Sequence, residues 1–166
     1  MTGQAAPVVA AAKQCYPMAM IRLRTARPDD AAACYTLWHA AVSATHDFLS
    51  PADFATIAAE VQAMLPATPM TVAVDADDTP LGFMIMDGTH MEALFIHPAH
   101  HGSGIGRLLV DSNAGRVTTD VNEQNSGAIG FYRRLGFVPT GRSALDGQGR
   151  PYPLVHLARD CAPRLP

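Results

Sequence analysis

Gly102, Gly104 and Gly106 stand at alternate positions between an apolar strand and an apolar-polar helical pattern. The strand, Met91 to Ile96, runs into Pro98, whose fixed φ and missing N–H end strand pairing. Residues without a Cβ accept φ > 0 and let the backbone come close to a ligand. The helix that follows turns unpaired N–H groups and the positive end of its dipole toward the same spot. Such a place binds phosphate. A lone glycine cluster also fits an ordinary turn between strand and helix, so the known phosphate loops have to be compared.

Two of them fail. A Walker loop requires Gly-Lys-Ser/Thr, whereas Gly102 is followed five positions later by Arg107. A dinucleotide fingerprint requires a third glycine where Arg107 stands and a turn tight against the strand, but Pro98 to His101 intervene. His97, His100 and His101 crowd the same loop; their spacing converges on no tetrahedron and no cysteine joins them, so no metal is expected.

The elements that must position this loop can be followed along the chain. Met20–Ala26 is predicted as a strand, and the aspartates of Arg27-Pro28-Asp29-Asp30 suit a helix start. Cys34, Leu37, Trp38, Ala41 and Val42 recur at helical spacing to about Ala44. Ser50 caps a second helix with Pro51 at its first position and Phe54, Ile57, Ala58, Val61 and Leu65 on the buried face. Strands Thr71–Val74, Leu81–Met86 and His90–His97 are joined by the turn 75–80 and by Asp87-Gly88. After the loop come a helix from Gly104 to about Asn113, a strand Val117–Val121 and a helix Asn125–Leu135. Phe137–Thr140 and Pro153–Leu157 close as a hairpin over Asp146-Gly147-Gln148-Gly149. This mixed order fits neither a doubly wound nor an all-β fold.

Composition sets the outer limits. The 166 residues are 48% hydrophobic, enough for one domain with a real core. A net charge of −3 provides no footprint for nucleic acid. Cys15, Cys34 and Cys161 are odd in number, far apart and without metal spacing, as in a reducing, cytoplasmic compartment. No apolar run approaches the roughly 20 residues of a membrane helix, so no membrane partner is expected. Residues 1–19 lack the basic start of a secretory signal and are expected to be a disordered tail. Ordered-looking sequence begins at Ile21, and Met18 or Met20 would serve as a start; the domain runs 20–166.

His101-Gly102-Ser103-Gly104-Ile105-Gly106 resembles the Gln/Arg-x-x-Gly-x-Gly/Ala motif of the GNAT N-acetyltransferases, with His101 in place of the Gln or Arg. Asn125-Ser126-Gly127-Ala128-Ile129-Gly130-Phe131-Tyr132-Arg133-Arg134-Leu135-Gly136-Phe137 resembles the same family's Asn-x-x-Ala-x-x-Phe-Tyr-x-x-x-Gly-Phe signature. Two separate motifs are far more specific than one. The runs 44–50, 90–96 and 149–154 look like one bacterial branch, the small YjaB-type acetyltransferases. The resemblance covers roughly residues 20–160 and departs in the short link from Leu109 to Val117, which should trim the helix after the loop.

The resemblance implies an α+β (mixed α/β) GNAT fold: a mostly antiparallel mixed sheet of about seven strands flanked by four helices. It implies acetyl transfer from acetyl-CoA to a primary amine by direct attack in a ternary complex. The alternative is a catalytically silent CoA-binding sensor or interaction module of the same fold. By the resemblance, the cofactor is held by Phe95, Ile96, His101, Gly102, Ser103, Gly104, Ile105, Gly106, Arg107, Asn125 and Tyr132. Asn125 would hold pantetheine or cap its helix, and Phe95 and Ile96 would offer main-chain groups. An N–H of Leu94 or Phe95 would serve the oxyanion.

An amine is protonated at neutral pH, which costs roughly 4–5 kcal/mol unless a base removes the proton. His90 and Glu92, two apart on one strand face, are the candidates beside water, and His90 falls where better-known members carry a glutamate. Tyr132 matches the family's proton donor; full transfer to a thiolate is uphill by about 2 kcal/mol, so a hydrogen bond is the expected role. His46, Asp47 and Phe48 lie where the family builds its acceptor pocket. A homodimer is a further expectation from enzymes of this size.

Overall fold

Period-two runs of β-branched and apolar residues become strands in the computed structural model, which describes residues 20–161. The tail expected over residues 1–19 lies outside them. The strands are β1 (Arg22–Thr25), β2 (Thr71–Val74), β3 (Pro80–Asp87), β4 (His90–Ile96), β5 (Gly115–Asn122), β6 (Val138–Ser143) and β7 (Leu154–Cys161). They form one sheet in the order β1-β2-β3-β4-β5-β7-β6, antiparallel throughout except between β4 and β5. Four helices flank it: α1 (Ala31–Thr45), α2 (Pro51–Met64), α3 (Ile105–Asp111) and α4 (Ser126–Arg134). The fold is the mixed α+β architecture expected. The trimmed helix is α3, with seven residues.

Local chemistry explains most helix starts. Ser50 accepts from the Asp53 N–H at 3.1 Å with Pro51 in the first turn of α2. Asn125 accepts from the Ala128 N–H at 3.0 Å and starts α4. At α1 the expectation needs correcting: Asp29 and Asp30 sit in a 3-10 turn, Pro28–Asp30, and no side chain caps α1. The Asp30 carboxylate instead accepts from the Arg27 N–H at 2.6 Å and pairs with the Arg24 guanidinium at 2.7 Å. Its nearly buried charge is thereby satisfied.

Each face of the sheet has its own core. One packs Leu37, Trp38 and Val42 of α1, with Ala58 of α2, on Val72, Val74, Phe83 and Ile85. The other packs Ile105, Leu109 and Val110 of α3 and Tyr132 of α4 on Leu81, Met84, Met91, Val117 and Leu157. The first contains no buried residue of β5, β6 or β7 among the described residues, so α1 and α2 leave that end of their face open.

A register shift shapes the middle of the sheet. Ile85 pairs with Ala93 but Met86 pairs with Met91, so Glu92 is one residue more than the ladder holds. The bulge turns Met91 and Leu94, three apart, into the same core. Beyond it β4 loses β5. Their pairing consists of His90↔Thr118 and Met91↔Thr119 only.

Gly82 lies against the last residues of β4: a Cβ there would come 2.5 Å from Ile96 Cδ1 and 3.0 Å from the Phe95 carbonyl oxygen. Gly82→Ala should therefore destabilise the protein by about 1–3 kcal/mol in urea titration; an unchanged midpoint would contradict this packing.

Candidate active site

Where β4 leaves β5, its outer main-chain groups lose their ladder. His97 donates to the Leu81 carbonyl at 3.0 Å, which fixes the alternation: Phe95 bonds to Phe83, while Leu94 and Ile96 turn their N–H and C=O groups toward the gap. Phe95, expected to offer main-chain groups, has spent them on β3, so the available N–H is that of Leu94. The Ile96 carbonyl already meets His101 Nε2 at 3.1 Å.

A cavity of about 500 Å³ runs from this gap to the glycine loop. Its walls are Leu94–Ile96, the loop residues His100 to Gly102 and Gly104 to Arg107, the inner face of α4, and Ala41, Thr45 and His46 at the end of α1. Gly102 and Gly104 hold φ of +82° and +89°, conformations that L side chains resist. The first intrahelical bond of α3 runs from the Leu108 N–H to the Gly104 carbonyl at 3.0 Å. The N–H groups of Ile105, Gly106 and Arg107 consequently have no helical partner, and these residues line the cavity. Those of His101 and Ser103 are used inside the loop, on Pro98 and His100. At Gly106 a Cβ would come 2.9 Å from the Phe131 ring, so glycine lets the loop and α4 touch.

Tyr132 points from α4 toward the split between β4 and β5, with Phe131 and Phe137 edge-on at 5.1 and 5.2 Å. It is 6% exposed, and burial raises the phenol far above its ordinary pKa, opposed by a hydrogen bond with Thr119. Thr119 in turn donates to the Met91 carbonyl at 2.9 Å, at the last β4–β5 pair. The phenol therefore stays neutral and serves as a hydrogen-bond donor. Thr119 was not legible beforehand: it is an inward residue of β5 that meets Tyr132 only through the fold.

The remaining residues are dispersed around this centre. His46 lines the cavity, held toward its neutral form by burial with Asp47 opposing, and its Nδ1 lies 2.8 Å from Thr45 Oγ1. Asp47 and Phe48 stand behind it, off the cavity wall; the Phe48 ring lies tilted against His46 at 5.2 Å and against Tyr152 at 6.0 Å. Tyr152, unforeseen in the sequence, donates through its hydroxyl to Asp53 and so ties the first turn of α2 to the β6–β7 loop. Ser103 donates to the His100 carbonyl and does not line the cavity. His90 and Glu92 also stay off its wall. His90 Nδ1 meets Thr118 Oγ1 at 2.9 Å, and its Nε2 lies 4.0 Å from Glu92 Oε1. Asn125 lines the cavity while capping α4, and Arg107 and Arg134 bring cations to the rim.

Comparison with known proteins adds names to this geometry. A family model described as "Acetyltransferase (GNAT) domain" matches residues 68–139. The chain is 47% identical over 141 residues to the peptidyl-lysine N-acetyltransferase YjaB of Salmonella typhimurium, covering 83% of this chain and 97% of the relative. It is 46% identical over 142 residues to the protein of that name from Escherichia coli, covering 84% and 97%. The solution structure of apo-form YjaB from Escherichia coli matches with a TM-score of 0.80 at 46% identity, over 83% of this chain and 96% of that one. A PaiA N-acetyltransferase from Thermoplasma acidophilum, in complex with coenzyme A, shares the fold at a TM-score of 0.66 and 16% identity, over 84% and 98%.

The buried phenol is directly testable. On alkaline titration of native protein to about pH 11, wild type and Tyr132→Phe should gain equal phenolate absorbance, whereas in urea wild type gains one tyrosine more. A native difference of one phenolate would overturn the burial. Because unfolding releases this proton above about pH 10, stability should fall as pH rises past that point, and less steeply in the variant.

Proposed function

The chain belongs to the GNAT acetyltransferase family and is an acetyl-CoA-dependent N-acetyltransferase; from that premise we propose that its acceptor is the ε-amine of lysine in a peptide or protein. The relatives named for that acceptor are 46–47% identical over nearly their whole length, which supports the choice. The gap between β4 and β5, with free main-chain groups on one wall and a neutral phenol beside it, is the observation that carries the mechanism.

In this reading the N–H groups of Gly102 and of Gly104 to Arg107 hold the diphosphate of acetyl-CoA, with Arg107 adding charge. His101, Ser103 and Asn125 shape the site through the bonds they make within it. Leu94 and Ile96 meet the pantetheine arm along the unpaired edge of β4. The deprotonated amine attacks the thioester carbonyl: a carbon–nitrogen bond forms and the carbon–sulfur bond breaks. The Leu94 N–H stabilises the oxyanion, and the Tyr132 hydroxyl donates to the departing thiolate. The ammonium proton leaves to His90, to Glu92 or to water. His46 borders the path of the lysine stem, with Phe48 and the Asp47 carboxylate behind it.

The setting belongs to the same proposal. The two relatives are bacterial, and no helix among the described residues is long and apolar enough to cross a membrane. We assign the protein to a bacterial cytoplasm, with a homodimer as its assembly.

Thioester cleavage followed with a thiol reagent should proceed on a peptide with a free internal lysine and stop when that lysine is blocked. Turnover confined to polyamines or N-terminal amines would refute the acceptor. Tyr132→Phe should lower kcat by about 100-fold with acetyl-CoA affinity unchanged. Gly104→Val, which forces a β-branched residue to φ near +89°, should abolish acetyl-CoA binding in calorimetry; unchanged affinity would remove the loop from the site.

A further inference from the structure

His46 is the first residue past α1, and it lines the cavity together with Ala41 and Thr45. Its main chain is pinned on both sides. The N–H donates to the Val42 carbonyl at 2.9 Å, and the carbonyl accepts from the Leu49 N–H at 3.1 Å. The ring is held as well: Phe48 lies tilted against it and against Tyr152, whose hydroxyl accepts from the Ser50 N–H and donates to Asp53.

One neighbouring hydroxyl decides the tautomer of this imidazole. Thr45 Oγ1 donates its single hydrogen to the Ala41 carbonyl at 2.8 Å, so toward His46 Nδ1, also 2.8 Å away, it can only accept. Nδ1 therefore carries the ring hydrogen of neutral His46. Nε2 is left with a lone pair to which the described residues supply no donor. Other imidazoles are engaged elsewhere. His90 and His156 lie off the cavity wall on the open side of the sheet, against Thr118 and against Asp120 and Ser143. His97 accepts from the Ala99 N–H, and His101 meets the Ile96 carbonyl.

The charges around His46 suit a group that gains and loses a proton. Asp47 follows it in the chain; Asp53 stands behind Phe48 on the Tyr152 hydroxyl, and Arg150 of the same loop is held by Glu60. The remaining cavity walls bring His100 and His101 of the glycine loop, Arg107 of α3, and Tyr132 and Arg134 of α4. Burial holds the ring toward its neutral form, and the Asp47 carboxylate opposes that. The carbonyl end of α1 adds the negative pole of a helix dipole, which favours an imidazolium once it forms.

We propose that His46 Nε2 is the base that takes the proton of the acceptor ammonium. The proposal rests on the acetyltransferase reading and assigns the proton which that reading leaves open among His90, Glu92 and water. Nε2 bonds a hydrogen of R–NH₃⁺ as its N–H bond breaks, leaving R–NH₂ and an imidazolium whose Nδ1–H stays on Thr45. The amine attacks the thioester carbonyl. A second nitrogen-bound proton, released as the carbon–sulfur bond breaks, passes to the coenzyme thiolate. The imidazolium returns its proton to solvent, so charge and protons balance with no further reactant.

The test compares a lysine peptide with the same peptide carrying an aminooxy group in place of the ε-amine, which is neutral at the assay pH and needs no base. H46Q should lower kcat/KM for the lysine peptide by about 100-fold and leave the aminooxy peptide within about threefold of wild type, with acetyl-CoA affinity unchanged in calorimetry. On the lysine peptide, wild-type kcat/KM should rise through a pKa below about 6.5 and then level off, whereas H46Q should climb roughly tenfold per pH unit toward the pKa of the amine. Equal losses on the two peptides would mark a role in binding or positioning and overturn the base. Wild-type rates with an unchanged profile would overturn it too, and both results leave the acetyltransferase standing. If H46Q fails to fold, wild type decides by nitrogen NMR. A rate limb that coincides with the His46 titration, with the ring hydrogen at Nδ1, supports the base; a limb at another pH or an Nε2–H ring overturns it. A wild type inert on every amine and on the aminooxy peptide would remove the acetyltransferase reading itself, and the base with it.

Discussion

Opposite Met86, β4 holds two residues, Met91 and Glu92, where a regular ladder would hold one. That surplus reverses which residues of β4 point inward and which main-chain groups point outward. It coincides with the end of the β4–β5 pairing, just where the parallel pair of the sheet would otherwise continue. An open seam in the middle of a sheet costs several unmade hydrogen bonds, and unpaired groups of this kind persist where a ligand or water can satisfy them. We propose that the thioester-bearing arm of acetyl-CoA is that ligand, which makes site and structural defect one feature.

Around the seam, small residues set the distances. Gly82 lets β3 meet the end of β4, and Gly106 lets the phosphate loop meet Phe131 of α4. Because α3 has only seven residues, its dipole is short, and the proposed anion grip falls more to the oriented amides of the loop than to the helix behind them. The contact with Phe131 also couples the loop to the next residue on α4, Tyr132. The proposed diphosphate grip and thiolate donor are thus held in one packed unit.

The two sides of the sheet divide the chemistry according to water. Tyr132 lies in the buried side, where desolvation keeps its proton on and makes it a fixed donor. The carboxylates and imidazoles of the opposite side are half-exposed: Glu92 and His90 at 54% and 33%, Asp120 and His156 at 35% and 32%. These polar side chains stay in contact with solvent, whereas the Tyr132 phenol is shut away from it.

Much of this was legible in the residues themselves. The glycine loop, the Ser50 and Asn125 caps and the mixed order of elements all follow from local conformational preference, which acts over a few neighbours and needs no fold, while the shortened α3 follows from the short link after it. The two motifs likewise singled out the glycine loop and Tyr132, which the fold brings to one cavity. What escaped depends on register and on partners distant in sequence. Asp30 has the composition of a cap, yet Arg24 and Arg27 claim it. Phe95 and Leu94 are equally apolar, and only the hydrogen-bond parity of β4 against β3 decides which of them faces the gap. His156, which sequence alone leaves as a structural residue, acquires Asp120 from thirty-six positions away and Ser143 from thirteen. Propensity is written residue by residue, whereas register comes from how whole strands align, and one surplus residue in β4 changes every contact beyond it.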